Sequence, residues 1–371
     1  VMRGGGLMAR NNFRKLQKRV SIKSFFIYPK NMRVMETLET CKLQLIGGSS
    51  YMITLPKEWV LLNKLKQGEE IVLQIQNESI VVYPKKRGRE IIGTTIKLTK
   101  TDKNFLAKFM YALYMLGLDE IVLECDEIPP TLVDDLSDIV HSLIGMEIID
   151  LSENRIVLQC LTTHDLDITN VLKRKVQIAS RIFNKIEACI KTGDTAEISN
   201  ISRLEKDTDR LYFLAVRLEN RMMKEMQIPS NWDALRFILG SRMVAKFIEE
   251  IVDLLHDFSR LIEYISDDKK QLIADYVSKL HTLFRKSFDA YLCWSDSPDL
   301  DGAERTVKMI EDFYHKIREN VKSDDDPHLK LPLQMLLIIC RQIKAIGEIA
   351  FNRAVREISR KNLRLLSKPS L

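Results

Sequence analysis

The sequence predicts a multidomain protein with a small β domain at the front, a small α/β module in the middle, and an all-α pair of three-helix bundles at the back. Three patterns indicate this. Short stretches between residues 41 and 83 alternate polar and apolar residues, residues 91–160 alternate between strand and helix patterns, and the chain from about residue 168 follows a helical period. At 371 residues, 45% hydrophobic and 29% charged, the chain is long enough for several domains.

The front β domain is predicted over residues 36–86. Its strand segments are KLQL, YMITL, IVLQIQ and SIVVYPK, and IGGSS has the composition of a turn. Pro56 suits the first position of a short helix over LPKEWVLLNKL, because its missing N–H would have no partner there. The block holds too little apolar area to fold alone, so we expect an obligate homodimer through it.

The stretch LQLIGGSSYMITLPKEWVLLNKLKQGEEIVLQI resembles the AbrB/MazE family, in its TLPKEW element and in the LKQGEEI turn that leads into a strand. The resemblance implies a swapped-hairpin domain, in which two chains interleave hairpins into one dimer that binds DNA through basic loops. Matched by residue type, the candidate DNA contacts are Lys42, Lys57, Lys64 and Lys66. In an alternative interpretation the block only dimerises, and these lysines are solvated charges interspersed with glutamates.

The positive charge of the chain is concentrated in residues 1–35, which contain nine lysines and arginines and no acid. Subtracting nine from 57 leaves 48 basic residues against 51 acidic ones, so the rest of the chain has a charge of about −3. The tail has no hydrophobic period. We interpret it either as a disordered basic arm or, preferably, as an over-extended reading frame whose start is Met32 or Met35.

The six cysteines contain no CxxC pair, which argues against a zinc knuckle or a redox motif and favours reduced thiols in a cytoplasmic protein. The sequence contains no run of about 18 apolar residues, so no membrane-spanning segment is predicted. Residues 90–162 are predicted to form a small α/β linker module without a phosphate-cradling glycine loop. We expect this module to space the front domain from the back one or to add to a dimer interface.

The back of the chain is predicted to contain six helices, separated at residues 192–197, 228–231, 266–269, 295–302 and 322–328. They fall into two sets of three, over residues 168–266 and 269–367, which are offset by about 95–100 residues. The pattern indicates an internal repeat of two three-helix bundles.

Two pairs of acids in the first bundle are spaced for a shared helix face. Glu205 and Asp209 form one i,i+4 pair, and Glu249 and Asp253 form the other. Four carboxylates from neighbouring helices could hold a divalent or iron-type metal cluster in a surface groove, since oxygen ligands suit Mg, Mn, Fe and Ca. The alternative is a solvated face on which Arg242 and Lys246 pair with the acids of their own helix.

The helical half resembles the PhoU family, whose bundles carry E/DxxxD motifs that bind metal clusters. LEKDTDRLYFLAVR and VAKFIEEIVDLL stand where those motifs belong, and the six-helix repeat is similar over about 200 residues. Glu250 and Leu254 replace the usual Arg and His beside the second motif, and His256 is a candidate extra ligand. The resemblance implies phosphate signalling through a phosphate ABC transporter or its sensor kinase.

The second bundle is predicted to lack a metal site. Aligning the two repeats by sequence places Glu304 at the position of Glu205, Lys308 at that of Asp209, Lys344 at that of Glu249, and Glu348 at that of Asp253. Each pair of acids thereby becomes one acid and one lysine. Two lysines neutralise two carboxylates, so no ion is needed.

The function expected from the sequence is a regulator of phosphate uptake, not an enzyme, that couples phosphate-transport status to DNA binding. One alternative is a dimeric structural adaptor that does not bind DNA. A metal-dependent phosphohydrolase is the other, and it would need a nucleophile or general base that no motif in the sequence supplies.

Overall fold

The computed structural model describes residues 40–48, 50–75, 80–85, 91–162, 166–194, 196–225, 232–292, 299–323 and 326–362. The chain divides into two compact units, residues 1–75 with 82–85 and residues 76–81 with 86–371. The predictions about the basic tail, residues 1–35, concern a segment outside the described ranges. Among the helices of those ranges, none has the length and apolarity needed to cross a bilayer.

The front unit, taken from here on as residues 40–85 so that it includes the whole of its last strand, consists of small two-stranded sheets and one short helix, as the sequence predicted. Its elements are β1 (Gln44–Ile46), β2 (Ser50–Met52), α1 (Lys57–Leu62), β3 (Ile71–Ile75) and β4 (Ile80–Pro84). Strand β1 pairs antiparallel with β2, and β3 pairs with β4. Gly47 and Gly48 have φ values of 61° and 76°, which explains why the turn between β1 and β2 requires glycine. Pro56 immediately precedes α1 and does not occupy its first position.

Apolar side chains of the front unit are largely exposed. No described residue between 40 and 85 is buried. The exposed fraction is 82% for Leu62, 79% for Ile75 and 69% for Tyr51. This many exposed apolar side chains in one small region is typical of a region that packs against another chain.

The α/β module is a four-stranded sheet with two helices. Its elements are β5 (Gly93–Lys97), α2 (Lys103–Met115), β6 (Glu120–Glu124), α3 (Pro130–His141), β7 (Met146–Leu151) and β8 (Arg155–Cys160). The strand order is β5-β6-β8-β7, in which β5 and β6 are parallel and the other pairs are antiparallel. The Asp102 carboxylate accepts a hydrogen bond from the Phe105 N–H and caps α2, while Pro130 opens α3.

Six helices complete the second unit, and they confirm the predicted pair of three-helix sets. They are α4 (Ile168–Thr192), α5 (Ser199–Glu225), α6 (Trp232–Ser259), α7 (Asp267–Leu292), α8 (Leu300–Ser323) and α9 (Pro327–Asn362). Helices α4 and α6 of the first set pack against α7 and α9 of the second. One continuous apolar core therefore runs through both sets, with residues such as Phe183, Ile248, Leu283 and Leu336 fully buried in it.

Helix α5 also contacts the α/β module, where Arg217 is buried at the contact. Its guanidinium donates hydrogen bonds to the carbonyl oxygens of Tyr114, at 3.1 Å, and Leu118, at 2.6 Å, just where α2 ends. It lies 3.5 Å from the Asp119 carboxylate and 5.0 Å from the centroid of the Tyr114 ring. Because α2 leaves its last carbonyls unpaired, a cation there satisfies them and interacts favourably with the helix dipole.

Two more side chains of α5 extend this contact. Asn220 donates a hydrogen bond of 2.6 Å to the Met115 carbonyl, and Arg221 hydrogen-bonds to the Asp119 carboxylate. Gly117, with φ of 83°, lies so close to Arg221 that a Cβ atom would meet its Cγ at 2.8 Å. The module expected to be a spacer is thus joined to the first bundle by buried polar contacts.

We expect Arg217→Met to destabilise the second unit by about 3 kcal/mol, because it leaves α2 carbonyls and part of the Asp119 charge buried without their partner. Urea unfolding followed by circular dichroism would measure the loss. Arg203→Met, an exposed arginine of the same helix, is the matched control and should change stability by less than about 0.5 kcal/mol. Equal effects of the two substitutions would contradict the assigned role of Arg217.

Candidate functional site

Three of the four predicted carboxylates meet between α5 and α6. Glu205 and Asp209 lie one turn apart on α5, and Asp253 faces them from α6; one oxygen of each lies within 4.8 Å of the others. All three side chains are half-buried. The helical period accounts for the placement, since an i,i+4 pair on α5 presents two acids to the same neighbouring helix. We call these three residues the acidic cluster.

The fourth predicted carboxylate, Glu249, is engaged by a lysine of its own helix. The Lys246 ammonium hydrogen-bonds to Glu249 and lies 2.8 Å from Glu250. Arg242, the other cation expected to pair with these acids, lies 3.5 Å from the buried Glu219 carboxylate instead. The alternative prediction, in which cations of α6 pair with the acids of the same helix, therefore holds for Glu249 but not for the acidic cluster.

A buried lysine, Lys175 of α4, lies beneath the acidic cluster. Its side chain is fully buried, and its ammonium donates a hydrogen bond of 3.0 Å to the carbonyl of Thr208, the residue before Asp209. The ammonium also lies 5.3 Å from the centroid of the Tyr212 ring. Sequence reasoning missed this residue, although its position on the apolar stripe with Leu172 and Val176 marks it as an inward-pointing lysine.

The carboxylates of the acidic cluster are hard to ionise together. Burial, followed by the charges of Glu205 and Asp253, raises the pKa of Asp209 to about 7. Burial and the charges of Glu249 and Glu205 raise the pKa of Asp253 to about 6. Burial lowers the pKa of Lys175 to about 7, while Glu249, Asp209 and Asp253 oppose that change.

The acidic cluster fits a hard metal ion. Oδ1 of Asp253 is buried without a hydrogen-bond partner among the described residues, so this carboxylate has an oxygen atom whose bonding capacity is unused. The donors are all carboxylate oxygens, which suit Mg, Mn, Fe or Ca. His256 lies outside the three-residue cluster, and its Nε2 is 3.5 Å from the Arg260 guanidinium. The structure therefore does not bring this predicted extra ligand to the cluster.

In the second bundle, the burial pattern of α8 corrects the predicted alignment. The buried positions of α5 at 201, 204 and 208 recur with the same spacing in α8 at 303, 306 and 310. Asp209 therefore corresponds to Glu311, and Glu205 to Val307; the predicted counterparts Lys308 and Glu304 were wrong by three residues. A shift of three residues keeps nearly the same helix face, so the charge pattern could not reveal the error.

The prediction for α9 agrees with its burial. Buried Val244, Ile248 and Ile251 of α6 recur as Ile339, Ile343 and Ile346, which places Lys344 at the position of Glu249 and Glu348 at that of Asp253. The Lys344 ammonium lies 2.8 Å from Glu311 and 3.4 Å from Glu348. A lysine thus bridges the carboxylates of the second bundle, and the absence of a metal there stays a prediction.

The four candidate DNA contacts lie on the front unit. Lys42 precedes β1, Lys57 is the first residue of α1, and Lys64 and Lys66 follow that helix. All four side chains are exposed. Lys64 has a positive φ of 52°, which belongs to the turn that closes α1. The front unit therefore presents these cations to solvent, where a polyanion could reach them.

Two family models match the chain. Residues 172–262 match the family described as "PhoU domain", and residues 44–90 match the family described as "Antidote-toxin recognition MazE, bacterial antitoxin". A comparison with curated proteins found no match. Both resemblances predicted from the sequence are thereby confirmed: the chain combines a PhoU domain with a MazE/AbrB-like domain in front of it. The PhoU match includes α5, α6 and the acidic cluster.

In the presence of a metal chelator, we expect the free energy of unfolding to vary with pH because the carboxylates of the acidic cluster repel one another. The pKa of Asp209 is about 7 in the folded chain and about 4 in the unfolded chain. Between about pH 4 and about pH 7, Asp209 therefore keeps its proton in the folded chain but has lost it in the unfolded chain. The free energy of unfolding consequently falls as pH rises through this range. The Asp209→Asn substitution removes the ionisable group and with it this fall in stability. After discounting for its half-exposed position, the variant should gain roughly 1–2 kcal/mol over wild type between about pH 4.5 and about pH 7.

Urea unfolding in EDTA at several pH values would measure this gain. Asp207→Asn is the matched control, since it makes the same charge change on the same helix but outside the acidic cluster, where Asp207 lies 3.9 Å from Arg210. A stability difference between wild type and Asp209→Asn that does not vary with pH would contradict the expectation.

Proposed function

We propose that the protein is a phosphate-signalling regulator of the cytoplasm that couples phosphate-transport status to DNA binding. The observation that carries the proposal is the presence, in one chain, of a PhoU domain and a MazE-type domain. The first supplies a link to phosphate transport, and the second supplies a small basic module of the kind that binds DNA as a dimer. The proposed partners are a second copy of the chain, DNA, and a phosphate ABC transporter or its sensor kinase.

Dimerisation through the front unit is supported by the exposure of its apolar residues. Two two-stranded sheets and a helix of six residues enclose no buried side chain among the described residues 40–48, 50–75 and 80–85. Isolated hairpins of this size are marginal in water. A second copy that interleaves its hairpins would cover residues such as Leu45, Tyr51 and Ile75 and supply the missing core.

DNA binding is supported by the exposed lysines of the same unit. Lys42, Lys57, Lys64 and Lys66 supply four cations per chain, and a dimer doubles them. Phosphate contacts of this type give affinity that falls steeply with salt. The alternative, a dimeric adaptor that does not bind DNA, would use the same interface but leave these lysines without a role.

Metal binding at the acidic cluster is supported by its donor set and by the orphaned oxygen of Asp253. Glu205, Asp209 and Asp253 would hold a divalent or iron-type ion, with Glu249 beside them. The ion would supply the positive charge that crowded carboxylates lack, and so join α5 to α6. We propose a regulatory role and no catalysis, since the side chains identified at the cluster are carboxylates, lysines and a tyrosine without a nucleophile–base pair.

We expect the combined substitution of Lys42, Lys57, Lys64 and Lys66 by alanine to weaken DNA binding by at least about a hundredfold and to lower the salt slope by up to about seven, because the dimer loses the lysines of both chains. Fluorescence anisotropy with DNA from upstream of the gene and of phosphate-transport genes would measure both. The control replaces four exposed lysines of the second unit: Lys97, Lys103, Lys173 and Lys191. Unchanged affinity of the first variant, with light scattering still indicating a dimer, would favour the adaptor.

We expect the purified protein to contain metal that the Asp209→Ala, Asp253→Ala double variant loses, because two of three ligands are removed. Elemental analysis after dialysis would measure the content. Glu311→Ala, Glu348→Ala is the matched control in the second bundle and should keep the metal. Loss of metal from the control alone would move the site to the second bundle, and a metal-free wild type would end the metal part of the proposal.

A further inference from the structure

Resting on the proposed dimerisation through the front unit, we propose that the outer edge of β5 pairs antiparallel with the same strand of a second copy of the chain. Among the described strands, β5 pairs with β6 alone, so its other edge has no partner strand. A twofold axis at this edge would join the four-stranded sheets of the two α/β modules into one continuous sheet.

Every second residue of β5 directs its main-chain groups away from β6. The carbonyl of Ile92, just before the strand, accepts hydrogen bonds from main-chain N–H groups at the start of β6. The N–H of Leu98, just after the strand, donates to the carbonyl of Glu124 at 2.8 Å. Because the main-chain groups of alternate residues in a strand point to opposite edges, the even-numbered residues of β5 face β6. The outward-facing residues are Gly93, Thr95 and Lys97.

The side chains of these outward-facing residues lie on the sheet face opposite α2 and α3. Ile96 and Leu98 pack in the core beneath those helices. Side chains alternate along a strand, so Thr95 and Lys97 point to the other face. Both residues are exposed, as is Gly93. The outer edge of β5 is therefore accessible in its main chain and in its side chains.

A twofold axis at Thr95 makes the contact self-complementary. It places Lys97 of each copy beside Gly93 of the other, and Gly93 neighbours Glu120 in the register of β5 and β6. A Cβ atom at Gly93 would lie 3.3 Å from the Cβ of Glu120, so the missing side chain leaves room for Lys97 of the other copy to reach the Glu120 carboxylate. The two threonines face each other between these contacts, and β-branched pairs suit a sheet.

Within one chain, Lys97 has a partner that it can exchange. Its ammonium lies 2.6 Å from the Asp126 carboxylate, and the side chains are 62% and 90% exposed. An ion pair as exposed as this contributes little to stability. Moving the ammonium from Asp126 to Glu120 of a second copy therefore costs little.

The opposite edge of the sheet is less regular. Strand β7 has a register shift against β8 between Ile148 and Asp150. Such irregularities interrupt the row of N–H and carbonyl groups and protect an edge strand from pairing with another chain. Strand β5 has an unbroken register over its five residues and contains no proline. Of the two edges, that of β5 is the one suited to pairing.

The proposed dimer of the front unit favours this pairing. Strand β4 ends at Pro84 and β5 begins at Gly93. The connection spans at most about 30 Å even when fully extended, so each β5 starts within that distance of the front unit of its own chain. A second contact within an existing dimer forms at a high effective concentration, on the order of mM. A pairing of one short strand can then form without being stable by itself.

Disulfide cross-linking of the full chain with copper phenanthroline tests the pairing. The background carries Cys41→Ser and Cys293→Ser, because Cys41 is exposed and Cys293 lies outside the described ranges. Thr95→Cys should give a covalent dimer, since opposed residues that exchange hydrogen bonds have Cα atoms about 5.5 Å apart, within disulfide range. Ile149→Cys, an exposed residue of the other edge strand, is the matched control and should cross-link at least about tenfold more slowly.

Charge reversal tests the contact between Lys97 and Glu120. With Thr95→Cys present, Lys97→Glu should slow cross-linking by about tenfold, because it puts two carboxylates side by side. Adding Glu120→Lys restores opposite charges and should return the rate to within about twofold of that of Thr95→Cys alone. Circular dichroism of each variant should match that of the wild type, since the substituted side chains lie on the surface or at its margin.

Equal cross-linking rates for Thr95→Cys and Ile149→Cys would overturn the pairing of β5. A rate that Lys97→Glu leaves unchanged, or that Glu120→Lys does not restore, would overturn the twofold register about Thr95. Either result leaves the dimer of the front unit intact. Light scattering that indicates a monomeric wild type would refute the proposed dimerisation itself, which is a distinct outcome.

Discussion

Burial of charge along a single helix, α5, is the constraint on which the rest of the second unit depends. Its first half carries Glu205 and Asp209, with Lys175 of α4 beneath them, and its second half carries Arg217 and Arg221. A buried charge without a partner costs several kcal/mol, so each half of α5 needs groups from other elements. Helix α4 supplies a cation, Lys175, at one end, and the α/β module supplies carbonyl groups and a carboxylate at the other.

The repeat of three helices conserves the pattern of burial and changes the charged positions. In α8, the positions that match Phe213, Arg217 and Arg221 of α5 are His315, Glu319 and Ser323, all exposed. Glu319, at the position of Arg217, has a carboxylate, which accepts hydrogen bonds and cannot satisfy helix carbonyls as Arg217 does for α2. The two bundles therefore share one core, but within the described ranges the contact with the module and the open acidic cluster belong to the first bundle, which gives the two halves different chemistry on the same scaffold.

The two units differ in how they obtain a core. The second unit has a continuous apolar core through six helices and a separate one in its α/β module. The front unit has no buried residue among those described, so its stability is expected to come from association. In the proposed regulator this difference is useful, because a helical body can bind a metal and a partner while a dimeric front unit presents its lysines to DNA.

The sequence by itself determined the order of the β, α/β and helical parts, the five interruptions between the six helices, and the pairing of Glu205 with Asp209. These features follow from local periods and turn residues, which need no knowledge of distant contacts. Only the tertiary structure decided that Glu249 is taken by Lys246, that Glu311 and not Lys308 corresponds to Asp209, and that Lys175 lies beneath the acidic cluster. Each depends on which side chains from separate helices face each other, and the rotation of packed helices is fixed by the core as a whole.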